Sequence, residues 1–124
     1  MKDILLVAAG GAIGSVLRWL LSGAMQRLTR SPFPWGTFTV NAIGSFAIGA
    51  IAALALERAL VSPAARLFLI TGILGGFTTF SAFSYETLAL LRDGQWGSAA
   101  GYALGSVALG VLAAGAGYAV AMRA

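Results

Sequence analysis

The sequence predicts an all-α integral membrane protein, a single domain of 124 residues with four transmembrane helices. Hydrophobic residues make up 59% of the chain and charged residues only 10%, whereas soluble domains carry about 25% charged residues. The predicted spans, each long enough for a bilayer that takes about 20 residues, are 4–26, 36–57, 66–92 and 98–122. The chain has no cysteine or histidine, which argues against a zinc site and excludes thiol chemistry. Its net charge of +4 is spread over loops and ends, which fits lipid headgroups better than nucleic acid.

The first span contains two glycines at the spacing Gly10-x-x-x-Gly14, which favours the close approach of another helix. Its apolar run is longer than the core of a secretion signal, about 7–15 residues, and lacks a small-residue cleavage site, so we expect it to be retained. Arg18 lies within this span. Either its long side chain reaches the membrane interface, or its charge stands at the mouth of an anion pathway.

The second span carries polar and small residues at every fourth position, so that Asn41, Ser45 and Gly49 share one helix face. The side-chain amide of Asn41 offers two N–H donors and one acceptor. It can make an interhelical hydrogen bond worth about 1 kcal/mol. Alternatively, its NH₂ group points at a permeating anion.

The third span has a centre that is a poor helix. Gly72, Gly75 and Gly76 each weaken it by about 1 kcal/mol relative to alanine, and Thr78 and Thr79 add β-branched crowding. We expect a break near the midplane, where free backbone groups are tolerated only if they are buried in protein or line a cavity. The alternative is an unbroken helix with a small-residue packing face.

Aromatic and acidic residues follow this predicted break. Phe77, Phe80 and Phe83 recur every three residues and lie along one side of a helix, either as core packing or as part of a site. Glu86 is a carboxylate within the span, which makes it a functional candidate by default. If successive spans alternate in direction, Arg18 and Glu86 lie at similar depth, and we expect them to pair.

The fourth span continues the polar pattern with Tyr102 and Ser106, four positions apart, and repeats the glycine spacing with Gly101 and Gly105. Four spans place both termini on one side of the membrane. The terminal side then has Lys2, Arg58, Arg66 and Arg123, and the opposite side has Arg27, Arg30 and Arg92. Because orientation follows the Lys and Arg bias between sides, four against three predicts insertion in both orientations and permits an antiparallel dimer.

Three motifs carry a resemblance to a known family. They are Gly10-Gly-Ala-Ile-Gly-Ser-Val-Leu-Arg18, Pro34-Trp-Gly-Thr-Phe-Thr-Val-Asn-Ala-Ile-Gly-Ser-Phe46 and Gly75-Gly-Phe-Thr-Thr-Phe-Ser-Ala-Phe-Ser-Tyr-Glu86. In this order, on three spans and in a chain of this length, they resemble the Fluc/CrcB fluoride channels. The resemblance implies an antiparallel dual-topology homodimer in the inner membrane, in contact with lipid, that exports fluoride passively and relieves fluoride toxicity. It further implies two fluoride pores and a central structural sodium ion.

The resemblance also assigns roles to individual residues. It implies a fluoride pathway lined by Asn41, Phe80, Ser81, Phe83, Ser84, Tyr102 and Ser106, with Arg18 at the mouth of the pore. Phenyl ring edges carry positive potential, which suits an anion. It implies that the backbone carbonyls of Gly75 and Thr78 bind sodium. Two departures stand out: Ala82 occupies a position where the family often has threonine, and the fourth-span line has no hydroxyl after Ser106.

Two other classes compete with a channel. A proton-coupled exporter of the small multidrug-resistance type also has four spans and dual topology, but it needs a carboxylate in the first span, and residues 4–26 contain none. A scaffold without transport function would leave the mid-span polar groups unexplained. An enzyme is not expected, because the chain has no histidine, cysteine or pair of catalytic carboxylates.

Overall fold

The computed structural model describes all 124 residues, and all of its regular elements are helices. The helices are α1 (Lys2–Thr29), α2 (Trp35–Glu57), α3 (63–77), α4 (Phe80–Arg92) and α5 (Trp96–Arg123). Helices α3 and α4 together make the third span, Pro63–Arg92, so the structure has four helices long and apolar enough to cross a membrane. The prediction of an all-α protein with four such spans is confirmed.

The helices begin and end at residues suited to each position. Helix α1 ends at Thr29, and the next residue, Arg30, has a left-handed backbone (φ 48°) and donates its N–H to the Gln26 carbonyl. Helix α3 begins after Ser62, whose hydroxyl accepts from the Ala65 N–H, with Pro63 in the first turn. Gly94 provides the positive φ of 74° in the tight turn before α5. These local signals place the loops between the spans.

Helix α1 packs against α3 at a backbone-to-backbone distance that only glycine permits. A Cβ atom at Gly14 would lie 2.0 Å from the Ile73 carbonyl oxygen, and one at Gly10 would lie 2.6 Å from that of Phe68. On the facing helix, a Cβ at Gly76 would lie 2.5 Å from the Gly11 carbonyl oxygen. The small residues therefore bring the centre of the third span directly against the first, as the Gly10-x-x-x-Gly14 spacing predicts.

Helix α2 packs against α5 in the same way but through other glycines. A Cβ at Gly49 would lie 1.9 Å from the Ala114 carbonyl oxygen, and one at Gly117 would lie 2.0 Å from that of Phe46. Gly101 has no such neighbour within 4 Å, so the spacing Gly101-x-x-x-Gly105 does not mediate close packing within the chain. The spacing alone cannot tell which face of the helix meets its neighbour.

Few of the molecule's residues are buried within the single chain. Only 16 of the 124 residues are buried, and large apolar side chains such as Trp19 and Leu112 are largely exposed. At one end, Arg58 Nη1 donates to the carbonyl oxygen of Ala124 over 3.0 Å, so the second loop meets the C-terminus. The first and third loops meet at the opposite end around a shared cavity. The apolar outer surface suits lipid or another protein chain.

Candidate functional site

The site is built around two extended residues inside the third span. Thr78 (φ −83°, ψ 156°) and Thr79 (φ −148°, ψ 123°) lie between α3 and α4. Both the N–H and the hydroxyl of Thr78 bond the Leu74 carbonyl, at 3.0 and 2.9 Å, which completes the last turn of α3. The Thr79 hydroxyl accepts from the Ala82 N–H at 3.2 Å and caps the start of α4.

Asn41 on α2 holds the extended segment from one side. Its Nδ2 donates to the Thr79 carbonyl over 3.1 Å, and its Oδ1 accepts from the Thr79 N–H over 2.9 Å. These two bonds satisfy both the N–H and the C=O of Thr79, as a backbone partner would, and backbone groups need such partners at membrane depth. One N–H of the Asn41 amide remains for another partner, because an amide nitrogen has two donors.

Arg18 on α1 holds the segment from the other side. Its Nε donates to the Gly76 carbonyl over 2.9 Å in a partly buried position. In a continuous helix this carbonyl would accept from the Phe80 N–H four residues on. The guanidinium therefore takes the place of a backbone donor at the end of α3.

Besides Gly76, the carbonyls of Gly75, Phe77 and Thr78 lose their helical donors. A continuous helix would bond the Gly75 carbonyl to the Thr79 N–H and the Thr78 carbonyl to the Ala82 N–H. In the structure these N–H groups bond Asn41 Oδ1 and the Thr79 hydroxyl instead. Gly75 and Thr78 thus offer carbonyl oxygens to another partner, and these are the two residues for which the resemblance implies a bound cation.

A cavity of about 280 Å³ opens beside the extended segment. It brings together residues from three spans that the sequence separates widely: Asn41, Ser45, Thr78, Thr79, Phe80, Phe83, Ser106 and Val107. The lining includes amide, hydroxyl and phenyl groups but no carboxylate and no basic side chain. Such a lining can hydrogen-bond a small anion and offer it the positive edges of rings.

Two aromatic rings, Phe80 and Phe83, line this cavity, and the ring of Tyr102 packs against Phe83. The ring centroids of Phe80 and Phe83 lie 5.7 Å apart, and those of Phe83 and Tyr102 lie 5.1 Å apart. Tyr102 is fully buried, yet its hydroxyl has no hydrogen-bond partner. The buried hydroxyl of Ser106 has none either. Because native proteins rarely leave buried polar atoms unpaired, the Ser106 hydroxyl in the cavity points to water or an ion as its missing partner. The Tyr102 hydroxyl lies on the side of Thr37 and Glu86.

Tyr102 separates this cavity from a second one of about 490 Å³ at the end formed by the first and third loops. Its ring contacts Phe83 on one side, and on the other side Phe33, 5.4 Å away between centroids. Phe33 and Glu86 both line the second cavity. Glu86 accepts a hydrogen bond from the Thr37 hydroxyl over 2.6 Å. Tyr102 is thus the side chain between the two spaces.

Ser81 and Ser84 lie on α4 but do not line either cavity within one chain. Both are exposed, and the Ser84 hydroxyl donates to the Phe80 carbonyl over 3.0 Å. Ser81 Oγ lies 3.4 Å from the Thr79 hydroxyl. The structure therefore places these two hydroxyls on the helix that carries Phe80 and Phe83, facing outward.

The expected pair of Arg18 and Glu86 does not form within the chain. Arg18 bonds the Gly76 carbonyl, and Glu86 accepts from Thr37. The predicted pairing is wrong for the single chain, because it rested on depth alone, whereas the rotation of each helix decides which side chains meet.

Two contributors were missed at the sequence level. Thr37 is the partner of Glu86 and lies one turn before Asn41 on the same face of α2, so the four-residue spacing could have found it. Thr79 contributes its backbone and its hydroxyl. A threonine three residues before Ala82, directly after a glycine-rich stretch, is a helix-start signal.

Comparison with known proteins places these features in context. The family model described as CrcB-like protein, Camphor Resistance (CrcB), matches residues 5–118. A Thermus thermophilus protein named Fluoride-specific ion channel FluC is 56% identical over 118 residues, covering 95% of this chain and 94% of its own length. Proteins of the same name from Rhizobium meliloti and Opitutus terrae are 52% and 50% identical, covering 100% and 98% of this chain and 98% and 94% of their own lengths.

Proposed function

Because the chain belongs to the CrcB family, we propose that it is a fluoride-specific ion channel, not an enzyme, which lets fluoride leave the cell passively and so relieves fluoride toxicity. The relatives bear the name Fluoride-specific ion channel FluC, and their similarity to this chain covers nearly its whole length. The observation that supports it best in this molecule is the cavity beside the extended segment. Its amide, hydroxyl and phenyl groups suit a small, strongly hydrated anion that must replace lost water contacts.

The proposed fluoride pathway uses Asn41, Phe80, Phe83 and Ser106, which line the cavity, and Tyr102 at its inner end. The unpaired hydroxyl of Ser106 would donate to the anion. Ser81 and Ser84 enter the proposal through the family resemblance. Since their hydroxyls face outward from one chain, a second chain would have to cover them.

Fluoride efflux from liposomes that contain the purified protein tests the function. We expect rapid efflux of fluoride, and little efflux of chloride loaded in the same vesicles. Empty liposomes and liposomes with an unrelated membrane protein serve as controls. Retention of fluoride in properly reconstituted vesicles would refute the proposal.

The proposed assembly is an antiparallel homodimer in the inner membrane. The cavity beside the extended segment is open, and the phenyl ring of Phe80 is 78% exposed although it belongs to the proposed pathway. The Gly75 and Thr78 carbonyls also lack their helical donors. Lipid cannot satisfy polar groups at membrane depth, so a second copy of this chain is the occupant that we propose for this face.

Dual insertion is expected from the charge distribution. The second loop meets the C-terminus at one end of the molecule, and the first and third loops meet at the other. The basic residues other than Arg18, which lies within the first span, therefore divide four to three between the two ends, and so small a bias gives little orientation. A reporter fused to the C-terminus should be found on both sides of the membrane, and two lysines added to the loop 58–62 should force one orientation. A reporter on one side only in the unmodified protein would contradict the dual topology.

The proposed structural ion is sodium, bound by the carbonyl oxygens of Gly75 and Thr78 from each of two chains. The residues fit the ion, since the lost helical donors leave these oxygens available, and unwound carbonyls are known ligands of sodium in transporters. When bound, the cation would neutralise the carbonyl dipoles and make the centre of the dimer attractive to anions. It is not itself transported.

Removing sodium tests this site. Protein purified and reconstituted with a large organic cation in place of sodium should lose most of its fluoride efflux, and adding sodium back should restore it. Thr78→Ser should leave efflux nearly unchanged, because the proposed ligand is backbone. Full efflux without sodium would contradict the proposal, while leaving the channel function itself intact.

A further inference from the structure

Arg18 lies deep within its helix and points to the end of α3. It lies eleven positions before Thr29 at the end of α1, a distance of about 16 Å along the helix. Its side chain is half-buried, and its Nε reaches the Gly76 carbonyl at 2.9 Å. A charged group at such depth is costly and needs a specific partner. Here that partner is a backbone carbonyl.

We propose that Arg18 is a positioning residue that caps the Gly76 carbonyl through its Nε–H, and that this N–H, more than the positive charge, keeps the extended segment open. This inference rests on the proposed channel function, because it concerns how the fluoride pathway and its neighbouring carbonyls are held. The cap replaces the Phe80 N–H, which a continuous helix would direct to Gly76. The family resemblance assigns Arg18 to the pore mouth, where the charge would be the essential feature.

The packing of α1 on α3 explains how this bond is aimed. A Cβ at Gly76 would lie 2.5 Å from the Gly11 carbonyl oxygen and 3.0 Å from Ser15 Oγ. Gly76 is therefore pressed against the turn of α1 that precedes Arg18, and Ser15 and Arg18 lie three residues apart on one face. This packing places Arg18 Nε within hydrogen-bond distance of the Gly76 carbonyl oxygen, so the terminal NH₂ groups of the guanidinium are not needed for this bond.

The cap also decides which carbonyls stay available. Arg18 satisfies Gly76, and the diverted N–H groups of Thr79 and Ala82 leave Gly75 and Thr78 without helical donors. If the Gly76 carbonyl lost its cap, it would need another donor, and a continuous helix would supply the Phe80 N–H. A bond between them would rebuild the helix across the extended residues and displace Thr79 from Asn41.

Three variants separate the N–H from the charge. Glutamine Nε2 is the same number of bonds from Cα as arginine Nε, so Arg18→Gln keeps a donor at this position and removes the charge. Arg18→Lys keeps the charge but places a methylene at this position. Arg18→Met keeps neither and has similar bulk. The measurements are the thermal unfolding midpoint of the purified protein in detergent and fluoride efflux from liposomes.

If the N–H acts as proposed, Arg18→Gln should keep an unfolding midpoint near that of the wild type and most of the efflux, while Lys and Met should lower both. Loss of this partly buried hydrogen bond predicts a fall in efflux of about tenfold or more. If instead Lys retains efflux and Gln loses it, or if all variants behave alike, the inference is overturned. Wild-type liposomes that release no fluoride would refute the channel function, whereas the order of the unfolding midpoints would still test the cap.

Discussion

Replacing Asn41 with aspartate is expected to reduce fluoride efflux by about a hundredfold or more. Aspartate keeps an acceptor for the Thr79 N–H but has no N–H for the Thr79 carbonyl, which Asn41 Nδ2 contacts at 3.1 Å. Two oxygens would then face each other at membrane depth, and the new negative charge would repel fluoride in the cavity. Leaving the Thr79 carbonyl without its donor and adding a charge beside it costs about 3 kcal/mol, and each 1.36 kcal/mol is about tenfold in rate.

Two variants act as controls for Asn41. Asn41→Ser keeps one donor and adds no charge, so its effect should be milder than that of aspartate. Thr39→Val removes a hydroxyl from the same helix at a residue that lines neither cavity and makes neither bond to Thr79, and it should retain most of the efflux. Equal efflux in the aspartate and serine variants would mean that Asn41 does not face the ion.

Replacing Phe83 or Phe80 with isoleucine is expected to reduce fluoride efflux by about tenfold or more while the protein still assembles. Both rings line the cavity, and Phe83 packs 5.1 Å from Tyr102 between centroids. Isoleucine keeps apolar bulk but has no ring edge with positive potential. In the proposed mechanism the positive ring edge attracts the anion, which an aliphatic side chain does not.

The matched control for the rings is Phe46→Ile. Phe46 lies on α2, is 41% exposed and lines neither cavity. The same exchange there should leave efflux close to that of the wild type. Efflux and elution volume on size-exclusion chromatography should be measured together for all three variants. Wild-type efflux in both cavity variants would show that the rings serve only packing.

The sequence by itself determined the class of the fold and the number of spans. Long apolar stretches with few charges can be stable only in a bilayer, and each must then be helical because lipid offers no hydrogen bonds. Gly10 and Gly14 also predicted a close helix contact, and in the structure they pack against the backbone of Phe68 and Ile73. Local chemistry was sufficient for these features, since they depend on residues near one another in the chain.

Only the tertiary structure decided which partners the polar side chains have. Spacing along α2 predicted that Asn41 lies on a polar face. It did not predict that both amide atoms of Asn41 would bond Thr79. Depth suggested that Arg18 would meet Glu86, whereas the two side chains bond Gly76 and Thr37. These choices depend on the rotation and register of helices against each other. Those are set by glycine contacts between distant segments, which the periodicity of a single helix does not encode.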